Sequence, residues 1–479
     1  MRARLEILTA DERAQVHERT LGVLARTGMR CDSPEGRRIL ASAGAHVDET
    51  SGTVRFPAEL VERCLALCPG GFTLGGRRPG WSYALCEGGQ TLLADGGATA
   101  VFDRVAGVRR RPTHDDWLAA TRLLDALDDV GLYWCPTGYP GDFGGAAGFV
   151  RYFAGVFATF SKHVQDSFGR PELAPWLGEV LEAVFGDRAR VRDLRPLSFL
   201  ITPASPLTIE RGHTEAWLAL RDYGLPVAVM PMPLQGATAP GSRLATLLTA
   251  NCETLGTLCL VQAAAPGTPV VYAPVVATMD PRSGLYAAGA VEHAVLCAAA
   301  TEMARFYGLP AESSGFCTQT WEPDVQTAWE KANSGLLATL SDPDILVGPG
   351  LLGGATVLSL EQLVLDVEEW RLARRAQAGI PVRDDLWLDD VLEQVGAGGS
   401  FLGERSTRAG VRDGEEWLPS DFGVSGGHDA WRAAGAPATL DYASARVAEV
   451  LGGWRGIPYD DDVAAELAVI AARAAAAGT

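Results

Sequence analysis

Side chains able to carry reaction chemistry are sparse in this sequence. No H-E-x-x-H or Walker loop occurs, no Cys/His run has metal-ligand spacing, and the one G-x-S-x-G match, Gly423 to Gly427, lies in the helical C-terminal hundred residues, away from the strand-to-helix turn such a nucleophile needs. Zinc hydrolysis, serine hydrolysis and phosphoryl transfer therefore lack their usual carriers, and no metal is expected. Gly348-Pro349-Gly350-Leu351-Leu352-Gly353 fits G-x-G-x-x-G between an apolar run and a helical stretch. It follows the last clear strand instead of opening a first βαβ unit, and no acidic strand end lies about twenty residues on, which disfavours a nicotinamide site. What remains stands at the ends of apolar runs: Trp134, Tyr139, His163, Gln165, Gln235, Tyr272, Cys317, Gln319, Trp321 and Glu322. This set is rich in ring faces and poor in paired acids. It suits an alkylammonium cation, which ring faces attract while its methyl groups stay open to attack. The plainer alternative is that the rings fill the core.

The elements that must position these residues form a repeat. Between Thr113 and about residue 380, helices end in Gly, then Pro, then a short apolar run, as βα units require. TIERGHTEAWLALRDY stops at Gly224-Leu225-Pro226 before VAVMPMP, and LATLLTANCETLGTLCLVQAAA stops near Pro266-Gly267 before PVVYAPV. GAVEHAVLCAAATEMARFY stops at Gly308-Leu309-Pro310 before AESSGF, and KANSGLLATLSDPD leads into ILVGPG. With VGLYWCP, KHVQDSF and LSFLITP this makes about seven strands, spaced about 35 to 45 residues apart, the period of a (β/α)8 barrel. Continuous apolar strands between amphipathic helices indicate a parallel sheet covered on both faces; a doubly wound open sheet is the alternative.

We therefore expect an α/β fold in three parts packed as one unit: an α+β extension over residues 1–112, a barrel over 113–380 and a helical extension over 381–479, available for packing or for a homo-oligomer. The formal charge of −18 disfavours nucleic acid and anionic membrane surfaces as partners. The most apolar stretch, Leu258 to Val276, is broken by Gln262, Pro266, Gly267 and Pro269, so it is not expected to span a membrane. With no apolar run near the N-terminus, a cytoplasmic location is expected. Nine scattered cysteines without C-x-x-C give no disulfide framework. Cys64 and Cys68, at helical spacing, read as a buried face.

Long runs then become recognisable. TPASPLTIERGHTEAWLALRDYGLPVAVMPMPLQGATAP, NCETLGTLCLVQAAAPGTPVVYAP, EHAVLCAAATEMARFYGLP and PDVQTAWEKANSGLLATL resemble the trimethylamine methyltransferase family, which includes glycine betaine methyltransferases. The N-terminal LGVLARTGMRCDSPEGRRILASAGAHVDETSGTVRFPAELVERCLALCPGGFTLGGR and the C-terminal FLGERSTR and WRAAGAPATLDYASARVAEVL resemble it too, so the likeness covers nearly the whole chain.

The resemblance implies a barrel enzyme that moves a methyl group from an amine to cob(I)alamin. No D-x-H-x-x-G corrinoid-binding run is present, so the corrinoid (cobalamin) would sit on a separate protein, with no cofactor held tightly by this chain. Trimethylamine-specific members carry pyrrolysine just before the Pro-Asp that matches Pro323-Asp324; here Trp321 stands there. Without an electrophilic imine, the expected substrate shifts to a quaternary, betaine-like amine, whose methyl carbon is already electrophilic. Where the family commonly has a His beside the Thr matching Thr407, this chain has Ser406. On this reading Trp321, Tyr272, Tyr139 and Trp134 cage the cation, with Gln235 at the same rim. Gln319 or His163 orients the ligand, and Glu312 or Glu322 balances its charge. Two other classes stay open: a non-catalytic quaternary-amine binder, and a barrel oxidoreductase or lyase using the Gly348–Gly353 loop.

Overall fold

A computed structural model describes residues 3–138, 143–412, 416–417, 419–424 and 426–478. Eight parallel strands follow one another in chain order: β1 Thr91–Leu93, β2 Val130–Tyr133, β3 His163–Asp166, β4 Leu197–Ile201, β5 Val227–Val229, β6 Val270–Tyr272, β7 Glu312–Ser314 and β8 Ile345–Val347. β8 pairs back onto β1, with Ile345 opposite Thr91. β6 and β7 meet through a parallel bridge between Tyr272 and Ala311, so the sheet closes on itself. The outer ring comprises α1 His114–Ala126, α2 Gly145–Thr159, α3 Ala174–Phe185, α4 Arg211–Leu220, α5 Arg243–Ala264, α6 Val291–Phe306, α7 Val325–Ser341 and α8 Leu360–Ala378. This is a (β/α)8 barrel.

The expected domain boundary at residue 112 is corrected by β1, which lies inside the presumed extension. A three-residue strand between Gly-rich turns has no periodicity to announce it. Its place is set from outside, by Thr91 N–H donating to Asp344 O at 3.1 Å and Leu92 N–H to Asp129 O at 3.0 Å. The rest of the N-terminal part covers the barrel. Its hairpin Thr73–Gly75/Ser82–Ala84 sends Phe72, Leu74 and Leu85 into the barrel interior beside Leu93, Leu132 and Ile345, and so plugs the end opposite the strand C-termini. Helices Ala10–Arg26, Pro34–Ala43 and Ala58–Leu67 lie on α5. That cover explains why α5, the one described helix long and apolar enough to cross a membrane, is buried on nearly every side. Of the C-terminal helices, Thr439–Gly453 packs on α1 and α8, and Asp461–Ala477 on α2 and α3.

The Gly348–Gly353 loop does not open a helix. It runs into an antiparallel pair, Leu351–Leu352 with Val357–Leu358, which joins the strand Ala100–Asp103. With no helix N-terminus behind the glycines, the dinucleotide geometry is missing and the oxidoreductase alternative loses its premise. Gly348 is required for another reason: at φ 139° a Cβ would fall 1.8 Å from the Gly315 carbonyl oxygen, so only glycine lets β8 pass β7 this closely.

Candidate active site at the barrel mouth

A cavity of about 130 Å3 opens among the strand C-termini, roughly ten times the ~10–15 Å3 that one water needs. Its wall is mostly apolar: Trp134 after β2, Met230 and Met232 after β5, Val275 after β6, Phe316 after β7, Leu351 after β8. Asp95 is the one carboxylate among its described lining residues. Strand alternation aims it inward, two residues beyond Leu93 of the barrel interior. Trp134 reaches the cavity because Gly96 lies flat against its ring; a Cβ there would meet the indole at 2.5 Å.

Burial pushes the Asp95 carboxyl up to about 6; the Gly96 N–H, 2.8 Å from Oδ1, and the charge of Lys331 restrain the rise. The carboxylate is thus ionised near neutrality at a site with few other polar partners. Opposite stand the Tyr286 and Thr318 hydroxyls and the Cys317 thiol. His293 Nδ1 lies 2.8 Å from the Val276 carbonyl and Nε2 2.9 Å from Tyr286 Oη, and these two contacts hold the phenol in place.

One layer deeper, Gln165 Nε2 donates to both oxygens of Glu312 at 2.9 and 3.1 Å. Burial holds the Glu312 carboxyl up to about 8, so it is protonated at neutral pH. Gln165 Oε1 accepts from Ser198 Oγ, which also contacts His163 Nε2 at 3.0 Å, while His163 Nδ1 faces the Gly75 carbonyl of the basal hairpin at 3.2 Å. Burial drives His163 down to about 4.

The residues singled out from sequence therefore separate. Trp134 lines the cavity and Glu312 lies beneath it. His163 is corrected: as the first residue of β3 it sits at the barrel base, out of reach of a ligand at the mouth. Tyr272 is corrected as well, because it points outward, where its hydroxyl donates to Asn251 Oδ1 of α5 at 2.9 Å. Trp321 is 51% exposed and stacks on the outside of the Gly353 turn, with the Arg109 guanidinium 5.2 Å over its ring, so the cation it meets is the protein's own. Glu322 is exposed at the entrance to α7, where its backbone carbonyl accepts from Thr320 and Thr327. Gln235 braces the rim, bonded to Gly241 and Thr278. Gln319 accepts the Ala288 N–H at 2.8 Å and so pins the loop before α6 that carries Tyr286. Tyr139 lies outside the described residues. Sequence reading missed Asp95, Met230 and Tyr286. Only the Asp-Gly-Gly after TLL hinted at the first, because its strand was too short to be read.

A family model described as "Trimethylamine methyltransferase (MTTB)" matches residues 1–478. Trimethylamine methyltransferase MttB of Methanosarcina barkeri (strain Fusaro / DSM 804) is 28% identical over 474 residues, 98% of this chain and 95% of that one. Glycine betaine methyltransferase of Desulfitobacterium hafniense (strain Y51) is 26% identical over 462 residues, 96% and 95% of the two chains. The solved monomethylamine methyltransferase MtmB of Methanosarcina barkeri shares the fold at TM-score 0.52 and 12% identity, over 94% of this chain and 89% of that one.

Proposed function

The chain belongs to the trimethylamine methyltransferase family, and from that premise we propose that its barrel mouth takes a betaine-like quaternary ammonium and gives up one of its methyl groups to cob(I)alamin carried by a separate corrinoid protein. The observation that carries this reading is the pairing of one half-buried carboxylate, Asp95, with a mostly apolar wall that includes Trp134, Met230 and Met232. A permanent cation without N–H donors needs counter-charge, ring faces and polarisable contacts, and little hydrogen bonding. Asp95 holds the nitrogen's charge, Trp134 supplies the ring face, and the apolar wall excludes water from the methyl group. Orientation and desolvation are the chain's contribution. The corrinoid, when presented at the mouth, supplies the nucleophile.

The rim suits a protein partner. Met232, Leu285, Val291, Trp321, Val325 and Trp329 are exposed on loops and first helical turns at the C-terminal face. Apolar side chains grouped at one end of a molecule this rich in charge favour docking of another polypeptide. Trimethylamine fits less well: Trp321, at the position matched to pyrrolysine, stands outside the cavity, and no described lining residue offers an electrophilic imine. Calorimetry with glycine betaine, tetramethylammonium and trimethylamine tests the substrate class; tighter binding of trimethylamine than of every quaternary amine would overturn it. Spectroscopic assay of cob(I)alamin methylation tests the reaction, and binding without methylation would favour the non-catalytic binder.

A further inference from the structure

Behind the cavity wall lies a charge pair that amine binding does not use directly. The chain has two lysines, Lys162 and Lys331, against a large excess of arginines, and both are buried. Lys331, on α7, donates to the Phe316 carbonyl at 2.6 Å and to Asp366 Oδ2 at 2.8 Å. Asp366, on α8, also accepts the Gly350 N–H and the Gln362 amide, each at 2.7 Å. Neither side chain of the pair is solvent-accessible.

A buried ion pair is a poor device for stability alone, since apolar residues of similar volume often serve as well or better. What apolar residues cannot do is grip backbone groups. This pair grips two: the Phe316 carbonyl after β7 and the Gly350 N–H after β8. Phe316, Cys317, Thr318 and Leu351, on those same loops, line the cavity. A compact ammonium fits here, whereas a guanidinium's five donors would exceed the acceptors on hand. The glycine-rich run thus presents its N–H to a carboxylate of its own chain.

We propose that Lys331 and Asp366 are positioning residues that hold the Phe316–Thr318 and Gly350–Leu351 walls at the separation an ammonium ligand requires; this rests on reading that cavity as the amine site. The test is the double variant Lys331→Met/Asp366→Leu, which removes both charges and so leaves neither uncompensated. Melting temperature, calorimetric affinity for tetramethylammonium and the rate of Cys317 alkylation by iodoacetamide are measured on one preparation. The expected result is a folded protein with lowered melting, since the Phe316 carbonyl and the Gly350 N–H lose their partners, affinity weakened about tenfold or more, and faster alkylation of Cys317. A folded double variant with wild-type affinity and wild-type alkylation overturns the proposal. Should the double variant not fold, Asp366→Asn keeps the size and an oxygen for Gly350 while dropping the charge, and unchanged affinity and alkylation there overturn it equally. Alkylation does not depend on the amine: faster alkylation in the variant, together with no quaternary-amine binding by the wild type, would sink the amine reading and leave the positioning role standing.

Discussion

On the proposed reading, Asp95 is the residue on which ligand charge recognition turns. A cation about 4 Å from a carboxylate at an effective dielectric near 20 gains roughly 4 kcal/mol, so Asp95→Asn should weaken quaternary-amine binding by about two orders of magnitude or more in calorimetry, with little loss of melting temperature. Because burial sets this carboxyl near 6, ligand and proton compete below that value. The dissociation constant of a quaternary amine, which cannot itself titrate, should rise about tenfold per pH unit beneath pH 6. An affinity flat from pH 5 to 8 would exclude Asp95 as the counter-ion. The two tryptophans separate in the same assay. Trp134→Ala should weaken binding by about 1 to 2 kcal/mol. Trp321→Ala, which loses a half-exposed stack with Arg109 and the Gly353 turn, should leave affinity within about twofold and cost about 0.5 to 1 kcal/mol of stability.

Among the elements, β7 and β8 cross at a point where no side chain fits. Gly348→Ala places a Cβ against the Gly315 carbonyl in the left-handed region, and should cost at least ~3 kcal/mol in denaturant unfolding. A variant as stable as the parent would mean the two strands can part. The layer beneath the cavity has a pH signature. Glu312 carries its proton in the folded barrel up to about pH 8, against 4.5 for the ordinary side chain. Between these values the folded state binds the extra proton, so the stability that this group contributes below pH 4.5 is lost as pH rises toward 8, by about 1.4 kcal/mol per unit at most. Glu312→Gln should flatten that slope and raise the melting temperature relative to wild type at pH 8 to 9. An unchanged slope would show that Glu312 is ionised already.

At the scale of the whole molecule, the barrel is finished by segments outside the βα repeat. The basal hairpin closes one end, and the final helix buries Leu467, Ile470 and Ala474 against α2 and α3. Truncation after Gly456 should uncover that apolar face and lower the melting temperature by several degrees, each 1 kcal/mol being worth roughly 2–4 °C in a large domain. Calorimetric scans of the truncated and full chains decide it; identical melting would make the last helix a passive appendage.

The sequence alone determined the architecture, since the Gly-Pro punctuation after each helix and the apolar strands that follow are local signals. Runs long enough to resemble one methyltransferase family pointed to that family. It could not determine which residues share the cavity. Tyr272 and Val271 are neighbours in β6, yet one faces α5 and the other the barrel interior. That choice depends on strand tilt and register, which closure of the sheet sets and no single strand encodes. Asp95 escaped for the same reason: the three-residue strand before it becomes a strand only when Asp129 and Asp344 offer their carbonyls from either side.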